Sequence, residues 1–176
     1  MGCATTTLRT PETRREFAEA VIGNWSDFSR TLARKFIAEY GPPDQVKYSR
    51  LVWNDKGPWK STTVWDVPPY YDSDFGEDIL EQTIPYPIPL DRRPALAEFS
   101  DRVRVSKGGS ALSVRATSEE LNFLTANLAH ELLSGIQQPA TARRFYDRTL
   151  QLSAAGKSSP YMQGLLFAGA PSRPAP

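Results

Sequence analysis

An α+β domain is the fold class this sequence predicts: an antiparallel sheet of four to five strands, with helices packed mainly on one face. Three stretches carry that expectation. Between Phe28 and Asp66 a helical pattern, a Gly41-Pro42-Pro43-Asp44 break and a tryptophan-bearing hairpin follow without a gap. Between Arg102 and Arg115 a second hairpin turns at Gly108-Gly109, and strongly apolar helical patterns follow from Thr117 onward. At 176 residues the chain suits a single domain with a real core. That domain is expected over residues 10–156, between a flexible N-terminus (1–9) and a partly disordered C-terminal tail (157–176).

Thr10 is an N-cap residue, Pro11 fits the first helical position, and Glu12 and Glu16 suit the early turns. Phe17, Val21 and Ile22 would form the apolar edge of this helix, which Gly23-Asn24 ends. Ser26 or Asp27 caps a second helix reaching Tyr40, with Phe28, Leu32, Phe36, Ile37 and Tyr40 at helical spacing. Asn54-Asp55-Lys56-Gly57 reads as a type I turn closed by a left-handed glycine. That register sets Trp53 opposite Trp59 and puts Leu51, Trp53, Trp59 and Trp65 on one face, where tryptophans are core.

Ile79 to Ile84 reads as a third strand. Pro85-Tyr86-Pro87-Ile88-Pro89 should be extended and unable to continue pairing. Asp91 to Phe99 suits a short helix carrying Leu96 and Phe99. A two-residue Gly108-Gly109 turn pairs Val105 with Leu112 and Val103 with Val114 on a buried face. Arg102, Arg104, Ser113 and Arg115 then fall on a wet one. Thr117-Ser118-Glu119-Glu120 reads as a capping box for a helix to Ser134, stopped by Gly135. Leu121, Leu124, Leu128 and Leu132 form its stripe. Asn122 lies inside that apolar arc and must find partners. Pro139 starts a last helix with Phe145, Tyr146 and Leu152 inward, and Tyr161 to Phe167 is apolar enough to dock on the domain.

Composition removes several functions. Lys plus Arg (21) balances Asp plus Glu (20), and the basic residues come as scattered pairs, so nothing favours nucleic acid or an anionic membrane. No apolar run approaches the roughly 18–20 residues of a membrane-spanning helix. The single cysteine, Cys3, cannot form an internal disulfide. Its setting is open to three accounts. Gly2-Cys3-Ala4 resembles the end of a bacterial lipoprotein signal, with Cys3 as the acylated residue, a processing that would need an apolar leader ahead of it. Met1-Gly2-Cys3-Ala4-Thr5-Thr6 also fits an N-myristoylation pattern with Cys3 as a palmitoylation site. The plain account is an unmodified terminus.

Candidate chemistry is sparse. His130 is the only histidine. Adjacent helical residues diverge by about 100°, so Glu131 does not converge with it, whereas Asn127 shares its stripe. No second histidine supplies an i, i+4 metal pair, and neither a metal site nor a cofactor is expected. Asp72 to Asp78 departs from a calcium loop in its glycine position and lacks the twelfth-position glutamate. Pro68-Pro69-Tyr70-Tyr71 matches a Pro-Pro-x-Tyr ligand of aromatic-groove domains, a four-residue pattern of little specificity. There is no Gly-x-Ser-x-Gly nucleophile motif.

Two resemblances enter on these residues. The helix, Tyr40-Gly41-Pro42-Pro43-Asp44 and the Trp53 strand resemble small envelope lipoprotein domains of the outer-membrane assembly type, over about a quarter of the chain. A broader pattern resembles uncharacterised bacterial proteins. It comprises Tyr40 to Asp44, Ser49-Arg50-Leu51, Trp53, Gly57-Pro58-Trp59-Lys60, Leu80-Glu81-Gln82, Asn122-Phe123-Leu124 and Asn127-Leu128-Ala129-His130. That resemblance implies no activity, but it raises Arg50, Lys60, Asn127 and His130 above other polar residues.

The leading expectation is a non-enzymatic bacterial envelope protein, tethered through Cys3, that binds a protein partner or small ligand. Two rivals stand beside it. One is a small enzyme or ligand-binding domain with a site near Trp53, Trp59, Asn127 and His130. The other is a cytosolic subunit of a larger assembly, exposing apolar surface near Pro68 to Tyr71 or Pro85 to Pro89.

Overall fold

The Thr10 hydroxyl accepts the Thr13 amide, and the Thr13 hydroxyl receives the Thr10 amide, closing a reciprocal cap on the first helix. The structure is a computed structural model that describes residues 10–66 and 78–167. Helix α1 spans Pro11–Ile22 and α2 spans Asp27–Tyr40, capped by Ser26. The buried edge of α1 runs through Ala18 and Ile22, and Phe17, about 100° away from Ala18, is exposed instead. Phe28 is also exposed, one residue ahead of the buried Ser29-Leu32-Phe36 stripe of α2.

Among the described residues six strands form one antiparallel sheet: β1 (Gln45–Lys47), β2 (Arg50–Lys56), β3 (Trp59–Trp65), β4 (Leu80–Pro85), β5 (Val103–Val105) and β6 (Ala111–Ala116), in the order β1-β2-β3-β4-β6-β5. The α+β class is as expected, with one strand more than the upper figure. The addition is β1, three residues pairing with β2 and too short for alternation to register in sequence.

The first hairpin differs from expectation. Trp53 lies opposite Thr62, not Trp59, and Lys56 pairs with Trp59 across a two-residue Gly57-Pro58 connection. Trp65 pairs with Arg50 on the sheet's other face, where the guanidinium carbon stands 4.8 Å from the ring centroid. Trp65 therefore does not share the face of Trp53. Asp55 at φ 51° interrupts the pleat ahead of the turn, and Trp59 comes round to the helix side, stacking on Phe123 at 5.2 Å.

The second hairpin has the expected Val105–Leu112 and Val103–Val114 pairs. Its turn is wider: Ser106 N–H bonds the Ala111 carbonyl around a four-residue loop, and only Gly109 has positive φ (70°). Arg115, expected in water, is 3% exposed. Its guanidinium donates to the Asp78 carbonyl and approaches Glu81 on the neighbouring strand. Pairing also continues past Pro85. The Tyr86 and Ile88 amides donate to the Ser110 and Gly109 carbonyls, while Pro85, Pro87 and Pro89 occupy the alternate positions, where a missing N–H costs nothing.

Helices α3 (Arg93–Phe99, after a 3₁₀ turn at Leu90–Arg92), α4 (Glu119–Leu133) and α5 (Pro139–Ala154) complete the domain. Ser118 alone caps α4 by accepting the Leu121 amide, so the expected reciprocal box does not form; the Glu119 side chain turns inward instead. Gly135 (φ 74°) stops α4 as expected. On α5 Ala142 and Thr149 are buried, whereas Leu152 is exposed. Residues 157–167 continue through a 3₁₀ turn at Pro160–Met162, and Tyr161, Met162, Leu165 and Phe167 pack against the core.

Two apolar clusters lie on the helix-covered face. One joins α1 and α2 to Leu51, Trp53, Val64 and Leu80; the other joins α3, α4 and α5 to Ile84, Leu112 and Val114. Strand β4 shows the division most directly, because Leu80 belongs to the first cluster and Ile84 to the second, with buried Gln82 between them.

Candidate functional site

The polar seam between the two cores converges on one carboxylate oxygen, and within it only Asn122 Oδ1 is buried without a partner among the described residues. Glu119 Oε1 accepts the Trp59 indole N–H at 2.7 Å, the Tyr40 hydroxyl at 2.8 Å and Gln82 Nε2 at 2.8 Å. Gln82 Nε2 also reaches Thr62 Oγ1, and Gln82 Oε1 accepts from Asn122 Nδ2 at 3.0 Å. Burial, and next to it the Glu119 carboxylate, raises the Tyr40 pKa strongly, so its hydroxyl stays a donor. Its groups are spent on one another, joining α2, β3, β4 and α4, so this seam reads as structural.

A second polar cluster joins strand to helix. Asp78, almost fully buried, binds Arg102 Nε at 2.6 Å, and Arg102 Nη1 donates to the Tyr146 hydroxyl at 3.3 Å. Burial holds the Asp78 carboxyl above its usual range despite the guanidinium, and burial likewise raises Tyr146. The adjoining cleft of about 170 Å³, lined by Phe99, Ser100, Arg143, Tyr146 and Asp147, is below ordinary ligand size.

The best-formed candidate lies at the C-terminal half of α4. A surface hollow of about 300 Å³ is lined by Asn127, His130, Glu131, Ile136, Leu166 and Phe167. Asn127 and His130 share the helix face that receives residues 160–167. Asn127 is fully engaged there. Its Nδ2 donates to the Tyr161 and Gly164 carbonyls at 3.0 and 2.8 Å, and its Oδ1 accepts the Leu166 amide at 2.8 Å. Glu131 accepts from Tyr161 and from Gln137. Bonding to Glu131, with burial behind it, pushes the Tyr161 hydroxyl up to about 12.

His130 sits between two aromatic rings. It stacks on Phe167 (centroids 4.4 Å apart, planes at 14°), and Tyr86 meets both rings edge-on. Its Nδ1 lies 2.7 Å from the Tyr86 hydroxyl. Burial raises the Tyr86 pKa, so the hydroxyl keeps its proton; we assign it as the donor to Nδ1, an assignment that fixes the ring tautomer. The neutral ring then carries its hydrogen on Nε2. Burial also lowers the His130 pKa, against the weaker pull of Glu131, in keeping with that neutral state. Nε2 has no hydrogen-bond partner among the described residues and keeps access to solvent. The hollow thus presents one N–H donor, with Ile136 (67% exposed) and Leu166 (57% exposed) beside it. Among the described residues no hydroxyl or thiol lines it.

The other residues singled out from sequence do not join this site. Trp53 is fully buried in the first core and donates to the Gly41 carbonyl, whereas Trp59 belongs to the Glu119 seam. Arg50 lies over Trp65 on the opposite sheet face, and exposed Lys60 pairs with Asp55 at the hairpin. Only Asn127 and His130 come together. Cys3 and Pro68 to Tyr71 lie outside the described residues, as does the Asp72-to-Asp78 loop apart from Asp78 itself. Among the described residues no group of three or more His, Cys, Asp or Glu could hold a metal ion, and no helix is long and apolar enough to cross a membrane.

Sequence reasoning missed Tyr86 and Phe167 as partners of His130. Their signal was faint: Tyr86 alternates with prolines, and Phe167 closes the apolar stretch expected to dock. No protein-family model matches the chain, and comparison with characterised proteins and with solved structures finds no match.

Proposed function

We propose that this chain is a non-enzymatic interaction module of the bacterial envelope, whose ligand seat is the His130 hollow. One observation carries the choice of binding over catalysis. The Asn127 amide and the Glu131 carboxylate that line the hollow are engaged inside the fold, His130 Nε2 has no hydrogen-bond partner among the described residues, and Ile136 and Leu166 expose apolar side chains beside it. An apolar wall with one fixed donor suits a small molecule or peptide segment that presents an apolar group next to a carbonyl or carboxylate acceptor. The envelope placement is supported by the Gly2-Cys3-Ala4 setting, and acylation at Cys3 would tether the module.

The test is an NMR titration of the single imidazole with a panel of N-acyl amino acids and short apolar peptides. A saturable shift of His130 Nε2, with the ligand recovered intact, supports the seat. Chemical conversion of a panel member would replace binding by catalysis, and shifts confined to other residues would move the site. Intact mass of the N-terminal peptide from the native host tests the tether separately.

A second reading, a subunit of a larger assembly, is favoured by the exposed Pro85, Pro87 and Pro89 and by Leu90, which is 75% exposed. Its test is the native mass of the protein in host lysate, where a species larger than the free chain supports it.

A further inference from the structure

Arg93, the first residue of α3, is withdrawn from water without a counter-charge. The other arginines that are half-buried or buried among the described residues all have one or a ring: Arg14 meets Asp44, Arg30 Asp27, Arg102 Asp78 and Arg115 Glu81, and Arg50 lies over Trp65. The half-buried Arg93 side chain has neither among the described residues. Its Nε has no contact with solvent and no acceptor, while its two Nη atoms keep solvent access. The fold leaves room for this group. The guanidinium lies against buried Gly109 in the turn between β5 and β6, where an added Cβ would come within 2.2 Å of Nη2 and 3.3 Å of Cζ. A guanidinium N–H shielded from water without an acceptor is costly, and a charge held that way calls for an opposite one. The turn adds a second cation instead. Lys107, two residues before Gly109, is exposed and has no ion pair among the described residues. The turn is closed by the Gly109 amide on the Ser106 carbonyl and by the Ser110 and Ala111 amides on Ser106 Oγ, and the Lys107 and Gly108 amides take no part in those bonds.

We propose that Arg93 and Lys107 form a binding site for the phosphate group of a small molecule. Two cations that no carboxylate neutralises suit a dianion better than a singly charged group. With Nε shielded, the guanidinium offers its Nη end to an oxyanion, and the lysine adds a point charge on a flexible stem. The two uncommitted turn amides supply further donors, and phosphate has an oxygen for them that a carboxylate lacks. The site does not rest on the His130 seat, whose hollow neither residue lines.

The Arg93 Nε proton, shielded from water, gives the test its readout in proton–nitrogen NMR spectra of the full chain. The probes are inorganic phosphate, phenyl phosphate and acetate, titrated at low ionic strength. Both phosphates should produce saturable shifts of Arg93 Nε and of the Lys107 and Gly108 amides, and acetate should bind about tenfold more weakly. Arg93→Gln should weaken phosphate binding about tenfold and Lys107→Gln about threefold. Lys47→Gln, at an exposed position on β1, should leave it unchanged. Shifts that rise without saturating, that survive Arg93→Gln, or that acetate reproduces at equal strength overturn the proposal. If Arg93→Gln does not fold, Lys107→Gln decides, because that side chain is exposed. A loss of about threefold then supports the site, and an unchanged affinity overturns it.

Discussion

The Trp59 indole nitrogen donates to Glu119 Oε1 at 2.7 Å, tying the first hairpin to the first residue of α4. The same oxygen accepts Tyr40 from α2 and Gln82 from β4, so one atom joins elements of both cores. Replacing Glu119 with Ala leaves three donors facing a cavity and is expected to cost about 3–5 kcal/mol of unfolding free energy. Glu119→Gln keeps the acceptor oxygen and should cost less than about 1.5 kcal/mol. Urea unfolding of both variants checks this, and equal losses would show that charge, not the shared acceptor, stabilises the seam.

Gly109 is the glycine of the second hairpin that cannot be replaced freely. It sits at φ 70°, and an added Cβ would lie 2.2 Å from Arg93 Nη2 and 3.0 Å from the Ile88 carbonyl. The arginine tip can move, but the carbonyl belongs to a backbone that bonds Gly109 itself. Gly109→Ala should lower stability by about 2 kcal/mol, whereas Gly108→Ala, whose added carbon meets only Ser110 Oγ at 3.9 Å, should stay within about 0.5 kcal/mol. Thermal unfolding of the pair separates them, and matching melting points would remove the argument.

These two sites mark what was legible in the sequence. The second hairpin's register could be read because alternation on both strands agreed on one pairing, whatever the turn. The first could not, because Asn54 to Gly57 suits a three-residue loop as well as the observed two-residue one, and Asp55 breaks the alternation by adopting positive φ. Asn122 announced its need for partners by interrupting an apolar arc, and it bonds Leu80 and Gln82. Glu119 announced nothing, since an acidic residue in a helix's first turn is ordinary and its three donors come from three distant elements. The His130 site was half legible for the same reason. Asn127 and His130 share a helix face, but Tyr86 and Phe167 arrive by tertiary folding alone.

Asn127 tests whether residues 160–167 are held by their backbone. Asn127→Ala removes all three bonds to the segment and should cost about 2–4 kcal/mol. Asn127→Asp should be at least as damaging, because a carboxylate oxygen would then face the Tyr161 and Gly164 carbonyls. The local readout is hydrogen exchange at the Leu166 amide, whose protection should be lost in both variants. Unchanged protection there would mean that ring packing around Phe167 suffices to seat the segment.

The His130 ring makes stability depend on pH in a predictable direction. Its folded pKa lies below the usual 6.5, because burial disfavours the imidazolium. Protonation would also place a hydrogen on Nδ1, where the Tyr86 hydroxyl now donates. Between the folded and unfolded values the unfolded chain binds more protons, so stability rises with pH across that window. The His130 contribution should be complete above the unfolded value and decline as pH falls from about 7 towards about 5. Asp78 acts with the opposite sign: its raised carboxyl pKa favours the fold as the pH falls, so wild-type data alone would mix the two. The informative quantity is the difference between the wild type and His130→Gln in urea midpoints measured across the range. That difference should shrink as the solution is acidified, and parallel curves would show that the imidazole stays uncoupled from folding.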